Sequence, residues 1–325
     1  MNAQIFAEWL RRQGHRVIRT ESSYWYDAGP RVLQAFPYHW VVQPSAQEMR
    51  ELTIRQNRVA ARYSAPLGVP DGMVSYHAVL GGPYNPKTLN DAARSDIRRG
   101  LRHCQVEPIS CERLAEEAWT LQHDTLERQG RAKSMSQSEW KRICLSAKDL
   151  PGFEAWGAIH DGELVSALLS CTLDDTVSIL YQQSSTCHLP FRVNNALISV
   201  FTQAVLERPD VRYIFYGLHS LDAPPSVDEF KFRMGYSAKP VRQRVIFNPY
   251  FRPFVNHLSH GFIKACLKIR PDSATIAKAE GIFRFYLQGK RPLSGQHWPK
   301  ALMRQKDAIL THHRETMEGP SSGWV

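Results

Sequence analysis

The sequence lacks the short motifs that identify the commonest enzyme classes. It has no GxGxxG, no GxxxxGK[ST], no GxSxG and no HExxH, which argues against common nucleotide sites, a nucleophile elbow and a zinc protease. None of its 6 cysteines forms a CxxC pair. Their apolar or mixed surroundings predict buried free thiols in a reducing compartment. His257 and His260 have no carboxylate or thiol at ligand spacing beside them, so we expect no metal site.

A long hydrophobic run is also missing. No stretch of about 18 apolar residues exists, so we expect no membrane-spanning helix. The N-terminal residues form an amphipathic pattern that Glu8, Arg11 and Arg12 interrupt, which is typical of a surface helix and not of a signal peptide. The sequence therefore predicts a soluble cytoplasmic protein.

Chain length and net charge limit the number of domains and the kind of partner. A chain of 325 residues suggests two domains, or one large domain with appendages. Lys and Arg number 41 against 31 Asp and Glu, a net charge of +10. This excess favours an anionic partner, but it does not choose between nucleic acid, acidic lipid and a phosphate-rich cofactor.

The clearest local pattern begins at residue 153. Residues 153–160 and 163–173 read as strands joined by a turn at Asp161-Gly162, and 176–184 reads as a third antiparallel strand. A helix that Asn194 can cap follows, and residues 211–218 form another strand. The order predicts an α/β protein with a mixed sheet and helices on its faces.

This order of elements resembles the GNAT acyltransferase superfamily, and more closely the branch related to the Fem peptidyltransferases, in which two such lobes are fused. The resemblance covers roughly residues 15–247. Besides the hairpin, it rests on the following short segments: Ile179-Leu180-Tyr181, Phe215-Tyr216-Gly217, Phe230-Lys231, Met234-Gly235-Tyr236 and Arg94-x-x-Ile97-Arg98-Arg99. It implies a partial GNAT-like lobe at 1–105 and a GNAT acyltransferase lobe at 106–250. Amphipathic helical patterns predict a helical extension at 251–290, and the fading of apolar periodicity after Lys290 predicts a partly disordered tail at 291–325.

The resemblance also implies where a donor would bind. In GNAT enzymes the third lobe strand and the strand after the long helix splay apart, here at residues 180–184 and 216–219, and the donor lies in the gap. The loop before the long helix presents N–H groups to a pyrophosphate. The candidate donor-binding residues are Tyr181, Gln182, Gln183, Ser184, Arg192, Asn194 and Asn195.

This loop departs from the GNAT pattern. Typical members carry Gln/Arg-x-x-Gly-x-Gly/Ala, whereas residues 188–194 contain no glycine, and Pro190 removes a donor. The Fem-related branch is also poor in that signature, so the predicted fold is unaffected.

Direct acyl transfer to an amine needs a neutral amine, a stabilised oxyanion and a proton for the leaving group. The resemblance places Lys231 as the stabilising charge, with a surface lysine as the alternative. Tyr236 could protonate a leaving thiolate, or it is a core tyrosine. His219 or Asp222 could be a general base, or Asp222 fixes the turn before Pro224. No covalent intermediate is expected, and nothing in the sequence activates Cys187 as a nucleophile.

Aromatic residues could line an acceptor pocket between the two lobes. The candidates are Trp25, Tyr26, Tyr63 and Tyr216. Packing in the core is the alternative interpretation for the first three.

Three functions remain open at this point. The first is an N-acyltransferase that uses acyl-CoA, for example acetyl-CoA, as co-substrate and a small amine as acceptor, with no permanently bound cofactor. The second is an aminoacyl-tRNA-dependent transferase of the Fem type, which the arginine stripe Arg94, Arg98 and Arg102 suits, although no inserted helical arm is visible. The third is a non-catalytic lobe whose residues 254–269 lie on acidic lipid, unless they pack against the catalytic lobe.

Overall fold

The chain passes repeatedly between two units, so neither unit is a continuous stretch of sequence. The computed structural model describes residues 3–29, 31–130, 135–219, 225–271 and 273–311. Unit 1 comprises Met1–Arg19, Phe36–His39 and His77–Ser237, and unit 2 comprises Thr20–Ala35, Trp40–Tyr76 and Ala238–Val325. This division differs from the expected boundaries at residues 105 and 250, because residues 60–65 pair with residues 242–247 inside unit 2.

Unit 1 contains most of the helices. They are α1 (Ala3–Arg12), α3 (Asp91–His103), α4 (Cys111–Glu117), α5 (Trp119–Arg128), α6 (Gln137–Ala147), α7 (Val193–Leu206) and α8 (Pro225–Arg233). Its strands are β1 (Val17–Arg19), the second half of β5 (Met73–Gly81), β6 (Gln105–Ile109), β7 (Phe153–His160), β8 (Glu163–Leu173), β9 (Thr176–Ser184) and β10 (Tyr213–Leu218). Unit 2 holds β2 (Tyr24–Gly29), β3 (Val32–Phe36) up to Ala35, α2 (Ala46–Arg55), β4 (Ala60–Ala65), the start of β5, β11 (Ser237–Phe247) from Ala238, α9 (His257–Ile269) and α10 (Ala274–Gly289).

The sheet of unit 1 has the mixed topology that the sequence predicts. Its strand order is β5-β10-β9-β8-β7-β6. The neighbours β6 to β9 are antiparallel, β10 runs parallel to β9, and β10 runs antiparallel to β5. A parallel neighbour needs a crossover connection, and α7 supplies it between β9 and β10.

The core of unit 1 forms where α7 covers this sheet. Leu197, Ile198, Phe201 and Val205 are fully buried, and the Phe201 ring lies edge-on to the Trp156 ring at 5.8 Å. Burying such side chains contributes about 1.5–3 kcal/mol each. The helix is therefore held firmly, and its first turn is fixed beside the ends of β9 and β10.

Several local predictions are confirmed. Asp161 and Gly162 both have positive φ (48° and 84°), as the predicted two-residue hairpin turn requires. Ser136 and Glu139 form the predicted capping box of α6, and all six cysteines are free. Burial is confirmed for Cys104, Cys144 and Cys171, whereas Cys111 and Cys266 are half-buried and Cys187 is exposed.

Other local predictions are wrong. The helix predicted over residues 111–129 is two helices that meet at Ala118. Ser226 does not cap α8, because the helix already begins at Pro225, a residue type that suits the first helical position. Asn194 does not cap α7, because the cap is Arg192 in a left-handed conformation. The aromatic stretch 22–37 contains β2 and β3, which its sequence pattern did not indicate.

Two further predictions concern the C-terminal tail and the absence of membrane-spanning helices. The tail predicted to be partly disordered begins at residue 291. Residues 300–305 in it form a 3-10 helix, and residues 312–325 lie outside the described residues. None of the described helices is both long and apolar enough to cross a bilayer.

Candidate active site

The site is built around the point where β9 and β10 part. The two strands pair only at their first residues, from Tyr213 opposite Thr176 to Phe215 opposite Ser178. Beyond this point β9 continues along β8, and β10 continues along β5. β9 stays paired with β8 and β10 stays paired with β5, but β9 and β10 no longer pair with each other. Their facing edges therefore present backbone groups without a strand partner. The splay predicted at residues 180–184 and 216–219 is therefore present, with β10 ending at Leu218.

A bulge in β10 marks the same place. The register against β5 shifts between Phe215 and Gly217, so Tyr216 is the extra residue. Gly217 has a φ of +119°, a conformation that L side chains rarely adopt. This local geometry aims the Tyr216 side chain away from the regular ladder.

Tyr216 bridges the two separating strands. Its phenol donates a hydrogen bond to the side-chain oxygen of Gln182 on β9. Burial raises the pKa of Tyr216 well above the usual value for tyrosine, so the phenol carries its proton at neutral pH. The sequence could not tell which of Gln182 and Gln183 faces the gap, and the structure places Gln182 there.

Lys231 lies next to the ring of this tyrosine. Its ammonium group is 5.6 Å from the centroid of the Tyr216 ring and 2.8 Å from the Asp228 carboxylate, one helical turn away in α8. Lys231 is only 5% exposed, so the alternative of a surface lysine is wrong. A buried positive charge beside a buried phenol can stabilise negative charge that develops nearby.

The first turn of α7 closes one end of the gap. Its cap residue, Arg192, has φ 64° and ψ 32°, and no side chain caps the helix. The first-turn N–H groups of a helix lack partners within the helix and favour an anion. The Arg192 guanidinium lies 3.0 Å from the Asp96 carboxylate, which also binds Arg233 at 2.9 Å. The Asp96 carboxylate therefore lies between two guanidinium groups, and the net charge of these three side chains is positive.

The close packing of α3 against α7 fixes the position of this helix end. A Cβ added to Gly100 would lie 2.5 Å from the backbone oxygen of Arg192 and 2.8 Å from the Ala196 Cβ. Glycine is therefore required at this position of α3 for the first turn of α7 to lie where it does.

A polar network joins the end of β9 to α7. Asn194 accepts hydrogen bonds from Ser166 (2.8 Å) and Gln182 (3.3 Å), and it donates one to Ser184 (3.0 Å). Arg128 of α5 donates to the backbone oxygen and the hydroxyl of Ser184, at 3.0 and 3.1 Å. The network holds the residues of the gap in one arrangement.

Sequence reasoning missed Arg128. The residue is an ordinary helical arginine in the sequence, and no motif marks it. Its guanidinium also donates to the Thr186 hydroxyl at 2.6 Å, so Arg128 and Arg192 place positive charge on two elements next to the same loop.

Gln183 has the opposite orientation to Gln182, as strand alternation requires. It is 1% exposed, and neither atom of its amide has a hydrogen-bond partner among the described residues. Tyr181 shares this face of β9 and packs edge-on against Trp140 at 5.7 Å. These two residues therefore lie on the α6 side of β9, and not in the polar network.

Two further candidates belong to the core. Tyr236 is buried, and its phenol is hydrogen-bonded to Thr202 of α7 at 3.1 Å. Asn195 is buried and donates to the Met234 sulfur at 3.5 Å. These positions match the core interpretation of Tyr236 and place the Asn195 side chain in the core as well. The phenol at the gap belongs to Tyr216, which the sequence placed with the acceptor residues.

The aromatic candidates of unit 2 also pack internally. Trp25 and Tyr63 are fully buried, with their rings edge-on at 5.8 Å, and Trp25 donates to the Thr20 hydroxyl at 2.8 Å. Trp25 and Tyr63 therefore pack in the core, which is the alternative interpretation of the sequence, and neither ring is accessible to an acceptor. Tyr26 lies in β2 of the same unit and is half-buried.

Of the two candidate general bases, the structure describes only His219. His219 follows directly after β10 and is half-buried. Asp222 lies outside the described residues.

Two histidines that the sequence did not single out contact β10. His77 lies edge-on to the Phe215 ring at 5.1 Å, and His39 is 6.1 Å from the same ring. Burial lowers the pKa of His39 from 6.5 to about 4, against the opposing effect of Asp174 and Asp175. His39 is therefore neutral at physiological pH.

One group of described side chains offers metal ligands. It consists of His123, Asp124 and Glu127 on α5. Asp124 already accepts a hydrogen bond from the Thr186 backbone N–H at 3.0 Å, so it holds the loop after β9 without a metal.

Comparison with known proteins identifies the fold. No known family model and no curated protein sequence matches the chain. The solved structure of FemX matches with a TM-score of 0.54 and 12% identity, covering 76% of this chain and 92% of that one. The C-terminal domain of a putative lysylphosphatidylglycerol synthetase from Agrobacterium fabrum matches with a TM-score of 0.51 and 10% identity, covering 81% and 91%. The chain therefore shares the fold of these two structures, and the fold implied by the resemblance to the Fem-related branch is confirmed.

Proposed function

We propose that the protein is an N-acyltransferase that moves an acyl group from acyl-CoA directly to the amine of a small molecule. One observation carries this proposal: β9 and β10 stop pairing after Phe215 and Ser178, next to the uncapped first turn of α7. A gap between two strands, closed by a helix N-terminus, suits a ligand with an extended amide-containing arm and a phosphate group.

Each part of the donor has a matching part of the site. The amide-containing arm of coenzyme A can pair with the strand edges at residues 180–183 and 216–218, as an added strand would. Its pyrophosphate can bind the first turn of α7, with Arg128 and Arg192 beside it. The loop lacks glycine, so fewer backbone N–H groups reach the phosphate, and the two arginines supply the missing attraction.

The chemistry then follows from the residues at the bulge. The acceptor amine attacks the thioester carbonyl, the C–N bond forms, and the oxyanion collapses with loss of the thiolate. Lys231 and the strand-edge N–H groups oppose the negative charge on the oxyanion. Tyr216 keeps its proton because burial raises its pKa, and it gives this proton to the leaving sulfur. His219 is the proposed base for the acceptor ammonium group.

A second candidate is transfer from an aminoacyl-tRNA. It is favoured by the exposed arginines of α3, which are Arg98, Arg99 and Arg102. Such a row of cations fits RNA phosphates and predicts binding that weakens steeply with salt. The reaction at the carbonyl would be the same, with a ribose hydroxyl as the leaving group.

Thermal-shift titration separates the two donors. Coenzyme A, acetyl-CoA and longer acyl-CoAs are titrated at physiological salt, and a saturating ligand at about 100 times its dissociation constant adds about 2.7 kcal/mol of stability. Arg192→Gln should weaken binding about tenfold, because it removes a charge-assisted hydrogen bond. Arg212→Gln is the matched control, since Arg212 lies at the opposite end of β10 and is exposed.

A saturable shift that Arg192→Gln weakens supports the acyl-CoA donor. No shift with any acyl-CoA, together with salt-dependent binding of tRNA, would replace it with the second candidate. No response to either ligand would contradict both.

A further inference from the structure

The outer face of α9 is unusually apolar for a surface helix. Leu258, Phe262 and Ile269 are 87%, 71% and 79% exposed. Tyr250 and Phe254, which come just before the helix, are 72% and 69% exposed. Isolated exposed apolar residues are common, but a cluster of large ones within 20 residues marks an interaction surface.

The three exposed apolar residues of α9 form a single stripe. At 100° per residue, Leu258, Ile269 and Phe262 project within about 40° of one another. Lys264, Lys268 and His257 are also exposed, and they lie about 80–120° to one side of Leu258. The helix therefore presents an apolar centre with a basic flank.

The opposite face of α9 is fixed within unit 2. His260 points to α10, where its Nε2 lies 3.0 Å from the Glu280 carboxylate. Arg284 binds the same carboxylate at 3.2 Å. The apolar stripe is therefore held outward by these contacts on the inner face.

Counted over its lysine, arginine and acidic residues, the segment that contains the stripe has charge of one sign. The sequence from residue 248 to residue 271 contains Arg252, Lys264, Lys268 and Arg270, and it contains no aspartate or glutamate. A second copy of the chain in a two-fold dimer would bring these cations against themselves, which costs free energy. An anionic lipid headgroup layer complements both the charge and the apolar centre.

We propose that α9 and the turn before it bind the surface of a bilayer that contains anionic phospholipid. The helix lies parallel to the surface, with Leu258, Phe262 and Ile269 inserted among the headgroups and acyl-chain ends. Lys264 and Lys268 contact the phosphate groups. This inference rests on unit 2 alone and does not depend on the proposed acyl transfer.

Vesicle sedimentation tests the proposal. The full chain is mixed with vesicles of phosphatidylcholine, with and without phosphatidylglycerol, and the bound fraction is measured at physiological salt. We expect binding only to the vesicles with phosphatidylglycerol. Lys264→Glu/Lys268→Glu should weaken the binding about tenfold or more, and Leu258→Ser/Phe262→Ser should weaken it by a similar factor.

The matched control is Lys141→Glu/Leu145→Ser on α6. It changes an exposed lysine and a 46% exposed leucine four residues apart and should leave vesicle binding unchanged. Circular dichroism of each variant checks that the fold is intact. Absence of binding to phosphatidylglycerol vesicles, or equal loss in the α6 control, would overturn the proposal. Self-association in solution that Leu258→Ser/Phe262→Ser abolishes would also overturn it, since a second copy would then cover the stripe.

Discussion

The phenol of Tyr216 donates a hydrogen bond to the side-chain oxygen of Gln182 just beyond the point where β10 and β9 stop pairing. The bond joins the two edges of the gap at the place where the acyl group would react. A donor that enters the gap must replace this hydrogen bond with its own contacts. Tyr216 therefore joins the two strand edges, and its phenol is the proton donor in the mechanism that we propose.

Tyr216→Phe should lower kcat for acyl transfer by about 10²-fold or more, because a positioned proton donor contributes typically 10²–10⁴-fold. The ring stays in place, so the KM for the donor should change much less. Steady-state kinetics with a saturating amine acceptor gives both constants.

Tyr236→Phe is the matched control for this experiment. It removes a buried phenol whose partner is Thr202, so it should cost about 1 kcal/mol of stability with kcat nearly unchanged. If Tyr236→Phe lowers kcat and Tyr216→Phe does not, the assignment of the proton donor is reversed.

Lys231→Met should both destabilise the protein and remove activity. It leaves the Asp228 carboxylate without its lysine partner in a buried position, which costs about 3–5 kcal/mol. Chemical denaturation measures the loss of stability, and the acyl-transfer assay measures the loss of rate.

The double variant Lys231→Met/Asp228→Leu separates the two effects. Since it removes both charges, we expect most of the stability to return, while the activity remains lost. Recovery of activity with the stability would show that Lys231 serves the fold alone.

The sequence predicted strands β7 to β10 of unit 1 because they follow one another in the chain, with strong turns such as Asp161-Gly162 between the first three. The pairing of β5 with β10 joins segments far apart in the sequence. The sequence did not predict unit 2, where Arg62 pairs with Val245 across a sequence distance that local patterns cannot convey. At the site, Lys231 and Gln182 could be found by resemblance. Arg128 could not, because its role depends on where α5 packs against β9. The sequence favours Tyr236 for the proton-donor role that we propose for Tyr216, because it does not show which phenol lies at the gap between β9 and β10.

Gly100→Ala should destabilise the protein, although alanine usually stabilises a helix interior by about 1 kcal/mol relative to glycine. The reason is that the new Cβ would lie 2.5 Å from the Arg192 backbone oxygen and push α3 away from the first turn of α7. Donor binding should weaken in the same variant.

Gly261→Ala in α9 is the comparison for this glycine. No atom lies within 4 Å of its added Cβ, so the substitution should raise stability by up to about 1 kcal/mol. Equal effects of the two substitutions in thermal unfolding would contradict the close packing of α3 on α7.

Acidification should destabilise the protein through His39. Its pKa is lowered from 6.5 to about 4 by burial, so below pH 6.5 the unfolded chain binds a proton that the folded protein does not. The linked loss on going from pH 6.5 to pH 4 is about 3 kcal/mol for this group. Urea unfolding at several pH values should show a smaller acid loss for His39→Gln, and parallel curves for the two proteins would contradict the burial of a neutral His39.

Amide hydrogen exchange with and without acetyl-CoA tests whether an acyl-CoA donor lies between β9 and β10 with its phosphates at the first turn of α7, as we propose. We expect ligand-dependent protection in peptides that cover residues 180–183, 193–194 and 216–218, with peptides of α9 and α10 unchanged. Saturating ligand without protection at these three segments would contradict this proposal.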